Sequence, residues 1–207
     1  MPSNYDNSAV FYDRLSRVVF GQALISSQVY LLPFIPPNAS VLIVGGGTGW
    51  ILEEIAKTYP SGLSITYVEI SAKMNALAQK RNTANNQVIF VNKPIEAVAD
   101  SDSYDVIITS FLFDNFSETT LATVFAHLHK MLKPNGVWLC TDFQFTGKLW
   151  QQILLKSMYF FFGMLCRIET NKMPDIENHF IKLRYKKIVA KTFFGDFIIS
   201  AANQKEP

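Results

Sequence analysis

The sequence predicts an α/β domain with a doubly wound, mostly parallel sheet that ends in a C-terminal antiparallel hairpin, and three observations carry that prediction. Four apolar residues, Val41 to Val44, run straight into the glycine turn Gly45-Gly46-Gly47-Thr48-Gly49, and an apolar helical pattern resumes from Trp50 to Ala56. Short apolar runs then alternate with helix patterns as far as Asp142, the order of successive β-α-β units. Near the end, Lys187 to Phe194 and Phe197 to Ala202 meet across Gly195-Asp196 as a closing hairpin.

Ahead of the sheet, Ser8 to Phe20 place Val10, Phe11, Leu15, Val18 and Val19 near one face at helical spacing; Gly21 interrupts before a second apolar stretch, Ala23 to Leu32. Two helices are expected, and Pro33, Pro36 and Pro37 then deliver the chain to the first strand. Ser64 to Glu69 is the second strand, Ser71 the cap of a helix reaching Arg81, and Val88 to Val91 the third strand. Tyr104 to Thr109 has the unbroken apolar run of a strand covered on both faces. Ser117 caps a helix from Glu118 to Leu132, which Lys133-Pro134-Asn135-Gly136 stops ahead of a fifth strand, Val137 to Asp142. With the hairpin, that makes seven strands.

Between sheet and hairpin, Lys148 to Ile168 carries Trp150, Ile153, Leu154, Leu155, Met158 and Tyr159 and is too apolar for a surface helix. Gln151, Gln152 and Lys156 interrupt it, so it lacks the ~20 clean apolar residues of a membrane span. A helix packed on the sheet is expected, with a role as wall of an apolar pocket or in transient contact with lipid as the alternative. Pro174 starts a short helix to Leu183.

A chain of 207 residues fits one structural domain, and 49% hydrophobic against 17% charged residues marks it as globular. The net charge of +2 creates no strong field, so nucleic acid is not an expected partner; oligomeric state is not legible. Cys140 and Cys166 imply neither a disulfide framework nor a zinc cluster, and no metal is expected. His127 and His129 point to different faces of one helix and make no metal pair. Met1 to Val10 lacks the charged start and apolar core of a signal peptide, which leads to the expectation of a cytoplasmic protein.

Glycines at a strand-to-helix turn let the backbone bend freely and let a ligand approach without meeting a side chain. Glu69 stands at the end of the next strand, about 20 residues on, where a ribose-binding carboxylate is expected. The dinucleotide fingerprint G-x-G-x-x-G fails because Trp50 occupies the place of its third glycine; the glycines stand at 45, 47 and 49. That G-x-G-x-G spacing, followed by Val68-Glu69-Ile70-Ser71-Ala72-Lys73-Met74 and later by Leu132-Lys133-Pro134-Asn135-Gly136, resembles the class I S-adenosylmethionine-dependent methyltransferases, near the ubiquinone/menaquinone methyltransferase-like group. At two positions the chain departs from them: Ile43 stands where an acidic residue usually precedes the glycines, and Val91-Asn92-Lys93-Pro94-Ile95 lacks the aspartate that meets adenine.

The resemblance implies a Rossmann-like fold and S-adenosylmethionine as cofactor, bound by Gly45, Gly46, Gly47, Thr48, Gly49 and Glu69, with Ile70, Ile95 and Ser110 as further contacts. It also implies that residues 1–37 form a helical lid, Tyr5 and Tyr12 included, over a methyltransferase domain at 38–207. Methyl transfer from a sulfonium needs alignment and dryness more than catalytic side chains. Where a base is needed, Asp114 after the fourth strand and His179 are the candidates. The fourth strand ends Thr109-Ser110-Phe111-Leu112, unlike enzymes that methylate nucleobase or glutamine amines, and a small apolar or amphiphilic, lipid-like acceptor is expected. Two alternatives stay open: an aminopropyltransferase of polyamine synthesis, similar at Gly45-Gly46-Gly47 and Val68-Glu69-Ile70 but without its acidic signature after the fourth strand, and a non-catalytic domain binding a nucleotide or partner.

Overall fold

The computed structural model describes residues 19–99, 103–166 and 173–207; the helix expected from Ser8, and Tyr5 and Tyr12 with it, lie outside or largely outside these residues. Seven strands form one sheet: β1 (Ser40–Val44), β2 (Ser61–Val68), β3 (Asn85–Val91), β4 (Tyr104–Ser110), β5 (Leu132–Phe143), β6 (Lys186–Phe193) and β7 (Ile198–Gln204). Their spatial order is β3-β2-β1-β4-β5-β7-β6. The first five are parallel, and β7 runs antiparallel between β5 and β6. Strand order reverses between β1 and β4, and open α/β sheets bind ligands at such a reversal, beyond the carboxyl ends of their strands.

Alternation along each strand splits the core into two layers. Val41 and Ile43 of β1, with Val106 and Ile108 of β4, face Leu31, Leu32, Ile51, Leu52, Ile55 and Ala78. These belong to, or lie next to, α1 (Ala23–Val29), α2 (Trp50–Thr58) and α3 (Ala72–Ala78). Leu42, Val44 and Ile107 face the other way, onto Leu121, Val124, Phe125 and Leu128 of α4 (Glu118–Met131) and Phe180 of α6 (Ile176–Lys182). The buried set of α4 recurs every three or four residues, and Ser117 caps it by accepting from the Thr120 N–H at 3.2 Å.

Two boundaries differ from expectation. The helix α4 stops at Met131, and Leu132 already pairs with Tyr104 before the ladder resumes at Val106 with Val137. Lys133 to Gly136 thus form an excursion within β5, with Asn135 left-handed at φ 61°. Lys205 fastens it: its N–H donates to the Gly136 carbonyl, its own carbonyl accepts from Asn135, and its ammonium reaches the His129 and Leu132 carbonyls. The helix from Ser71 ends at Ala78 rather than Arg81, because Arg81 turns back to the glycine loop.

The apolar helix α5 (Leu149–Cys166) packs Leu154, Leu155 and Met158 into a third cluster with Phe20, Phe143, Phe197 and Ile198. Trp150 lies against the β6–β7 turn, its ring 5.8 Å from those of both Phe194 and Phe197. Leu149 and Ile153 remain exposed. Among the described residues, no helix is long and apolar enough to cross a membrane.

Candidate active site

The glycine turn begins where β1 ends and is shaped by three non-glycine neighbours. Gly45, Gly47 and Gly49 all adopt left-handed φ of 66°, 63° and 77°. Gly49 supplies close packing, since a Cβ there would come within 2.6 Å of Ala78 Cβ on α3. At Gly46 a Cβ would fall 2.3 Å from the ring of Tyr67, which is fully buried at the end of β2. Gly47 differs: a Cβ there would meet only Met74 Sδ, at 4.0 Å. The open side of the turn is therefore at Gly47.

The Gly47 peptide is gripped from below on both polar atoms. The Tyr67 hydroxyl donates to the Gly47 carbonyl at 2.9 Å, and Glu69 Oε2 accepts from the Gly47 N–H at 2.9 Å. Tyr67 and Glu69 are two apart on one extended segment and so share a face. Glu69 Oε1 also accepts from the Ser71 N–H at 2.8 Å, and the carboxylate is 95% buried. Asn92 steadies the same segment by donating to the carbonyls of Glu69 and Ile70. Behind the turn, Arg81 Nε donates to the Thr48 carbonyl at 2.9 Å.

One cavity lies over the ends of β1, β2 and β4, and it brings together Gly45, Gly46, Gly47, Thr48, Glu69, Ile70, Ile95 and Ser110. Gly49 faces α3 instead of the cavity. The rest of its wall includes Gln28 of α1 and the loop residues Phe111, Leu112, Asn115 and Phe116 after β4, none of them named individually as a site residue from sequence. Phe111 adopts φ 52°, an uncommon conformation for an aromatic residue, and is held there by its N–H to the Thr141 carbonyl at 2.8 Å and by ring contact with Phe143 at 4.9 Å. No described side chain of α5 lines the cavity; Leu154, Leu155 and Met158 go to the third cluster and Trp150 to the β6–β7 turn.

The two candidate bases lie elsewhere. Asp114 is next to the cavity in sequence but does not line it, and its Oδ1 accepts from Asn115 Nδ2 at 2.7 Å. Burial, and after it the charge of Asp142, hold the Asp114 carboxyl well above the usual carboxylate range. Asp142, at the end of β5, is buried and accepts the N–H groups of Phe113 at 3.0 Å and Phe143 at 2.8 Å. Its burial pushes it up to about 7 despite those donors. The effect of Asp142 is to fix the loop after β4. His179 lies outside the cavity wall on α6, with Nε2 2.8 Å from Glu118 Oε1 and its ring on Phe125 at 5.2 Å. His127 and His129 have separate partners, the Val98 carbonyl and the Tyr185 hydroxyl.

Comparison with known proteins adds an independent observation. Residues 41–136, from β1 through the excursion in β5, match the family described as Methyltransferase domain. That stretch is similar to methyltransferase domains and holds the glycine turn and Glu69. The malonyl-[acyl-carrier protein] O-methyltransferase of Halalkalibacterium halodurans is 33% identical over 108 residues, 50% of this chain and 39% of that protein. The ubiquinone/menaquinone biosynthesis C-methyltransferase of Geotalea daltonii is 28% identical over 164 residues, 76% of this chain and 67% of that protein. The match to the Priestia megaterium malonyl-[acyl-carrier protein] O-methyltransferase spans 51% of that protein, so the chain covers about two fifths to a half of these O-methyltransferases. Among solved structures, the 1,6-didemethyltoxoflavin-N1-methyltransferase of Burkholderia thailandensis, with bound 1,6-didemethyltoxoflavin and S-adenosylhomocysteine, superposes with a TM-score of 0.66 at 15% identity, over 97% of this chain and 88% of that one. The likeness is one of fold.

Proposed function

We propose that this chain transfers a methyl group from S-adenosylmethionine to a small apolar or amphiphilic acceptor. The observation that carries the reading is the shared cavity. Eight of the nine cofactor residues expected from sequence line it, including the glycine turn and Glu69. The residues fit the cofactor on structural grounds of their own: Gly47 is open on the cavity side, the Glu69 carboxylate stands in the cavity wall at the end of β2, and Ile70, Ile95 and Met74 offer an apolar wall beside it. When bound, S-adenosylmethionine supplies an activated methyl group. This chain's residues orient the two reactants and keep water out, and no side chain in the cavity is required to act as a base.

The acceptor class rests on the wall formed by Phe111, Leu112 and Phe116, with amide and hydroxyl groups contributed by Gln28, Asn115, Ser110 and Thr120. That composition suits a hydrophobic body with a few polar atoms. Relatives named for a malonyl thioester carrier and for quinone biosynthesis are compatible with it. Of the lid expected at residues 1–37, the described part, α1, places Gln28 in the cavity wall. The test joins calorimetry with S-adenosylmethionine and S-adenosylhomocysteine to a labelled-methyl screen over quinol, phenol, fatty-acid and polar acceptors. Tight binding with turnover of the first three classes is expected; turnover confined to polar acceptors would reject the acceptor class, and absence of binding would reject the activity.

A further inference from the structure

Gln28 is 92% buried yet lines the cavity. Its amide nitrogen turns back along α1 and donates to the Leu24 carbonyl at 3.0 Å, which fixes which carboxamide atom is committed to the helix. The other, Oε1, has no hydrogen-bond partner among the described residues, and it is not among the fully enclosed polar atoms left unsatisfied. A partnerless acceptor in a nearly buried side chain is costly unless a ligand or water meets it. The cavity is where it is reached.

Position decides which ligand group that is. With the ribose on Glu69 at the end of β2, a cofactor following the glycine turn across the sheet extends over β1 towards β4, and its amino-acid end arrives beside Ile43 and Ser110. Gln28 approaches from the same sheet face as Ile43, because α1 and the segment after it pack in the layer that contains Ile43. Among the described residues, the charged members of the wall are Glu69, Lys93 and Glu96, which follow β2 and β3, and none of them stands at the β1–β4 end. An ammonium group there needs a neutral acceptor. We infer that Gln28 Oε1 accepts a hydrogen bond from the α-ammonium of the cofactor's amino-acid end, the role that Ile43 cannot fill. This inference rests on the cofactor reading above and goes beyond it in naming the atom that recognises one end.

Three ligands separate the possibilities: S-adenosylhomocysteine, its decarboxylated analogue, which keeps the amine, and 5′-methylthioadenosine, which has neither amine nor carboxylate. Each is titrated calorimetrically into the wild type and into Gln28→Met, with Gln28→Ala as the second variant should the first not fold. The expected result is a loss of about ten- to a hundredfold for the first two ligands, the range for a hydrogen bond to a charged group, with 5′-methylthioadenosine unchanged. Equal losses for all three would show a merely structural glutamine and overturn the inference. So would unchanged affinities, or a loss confined to S-adenosylhomocysteine, which would place the carboxylate at Gln28. Failure of the wild type to bind S-adenosylhomocysteine would instead reject the cofactor reading itself.

Discussion

Adjacent glycines in the turn serve opposite needs, and substitution should separate them. Gly46→Ala drives a methyl into the buried Tyr67 ring, so a clear drop in melting temperature is expected, matching the ~1–3 kcal/mol of an overpacked site. Gly47→Ala meets no protein atom closer than 4.0 Å and costs only the ~1–2 kcal/mol of a left-handed backbone, but it puts a methyl on the cavity side. The paired measurement is a melting curve and a cofactor titration for each: the first variant should lose more stability, the second more affinity per unit of stability lost. Glu69→Ala should weaken cofactor binding by about 1.5–3 kcal/mol in calorimetry, and it also releases the Gly47 and Ser71 N–H groups. Asp142 gives a pH signature. Its folded value of about 7 lies above the ordinary 3.8, so the folded protein holds the extra proton and stability falls as pH rises from about 4 to about 7. Melting curves across that window should slope down for the wild type and less steeply for Asp142→Asn, where the buried Asp114 still contributes. Glu69 was legible in the sequence because its spacing from the glycines carries chemistry; Tyr67, two residues earlier, looked like any strand aromatic, since its role depends on which backbone lies above it.

At the scale of elements, most boundaries followed from caps and breakers: Ser71 and Ser117 do cap their helices. The start of β5 did not, because Leu132 is recruited into the ladder by Tyr104 and the excursion that follows is stabilised by Lys205, about 70 residues away. The loop after β4 was equally opaque. Its course is set by Asp142 and Thr141 on the neighbouring strand, and no local pattern announces the left-handed Phe111. The apolar content of α5 predicted burial but not its partners; Trp150 anchors the helix to the β6–β7 turn, where a Cβ on Gly195 would come 3.0 Å from its ring. Trp150→Ala should therefore lower stability by about 1–2 kcal/mol, less than the 3–5 of a fully buried tryptophan because the ring is 41% exposed. Chemical denaturation measures it; an unchanged midpoint would mean that α5 holds its place without this anchor.

For the molecule as a whole, the alternation of elements was written in the sequence, whereas the strand order β3-β2-β1-β4-β5-β7-β6 is a property of the assembled sheet that no local pattern announces. The reversal between β1 and β4 gathers residues as distant as Gln28, Glu69 and Phe116 around one cavity. The hold of Tyr67 and Glu69 on the two polar atoms of the Gly47 peptide has a temporal consequence. A turn already fixed by its neighbouring strand has no second pose to wait for, so nearly every molecule is competent when a ligand arrives and apparent affinity is not diluted by an inactive fraction. In stopped-flow mixing, the observed rate of cofactor capture should then rise linearly with concentration, without the plateau of a preceding isomerisation. Tyr67→Phe, which frees one side of that peptide, should introduce the plateau.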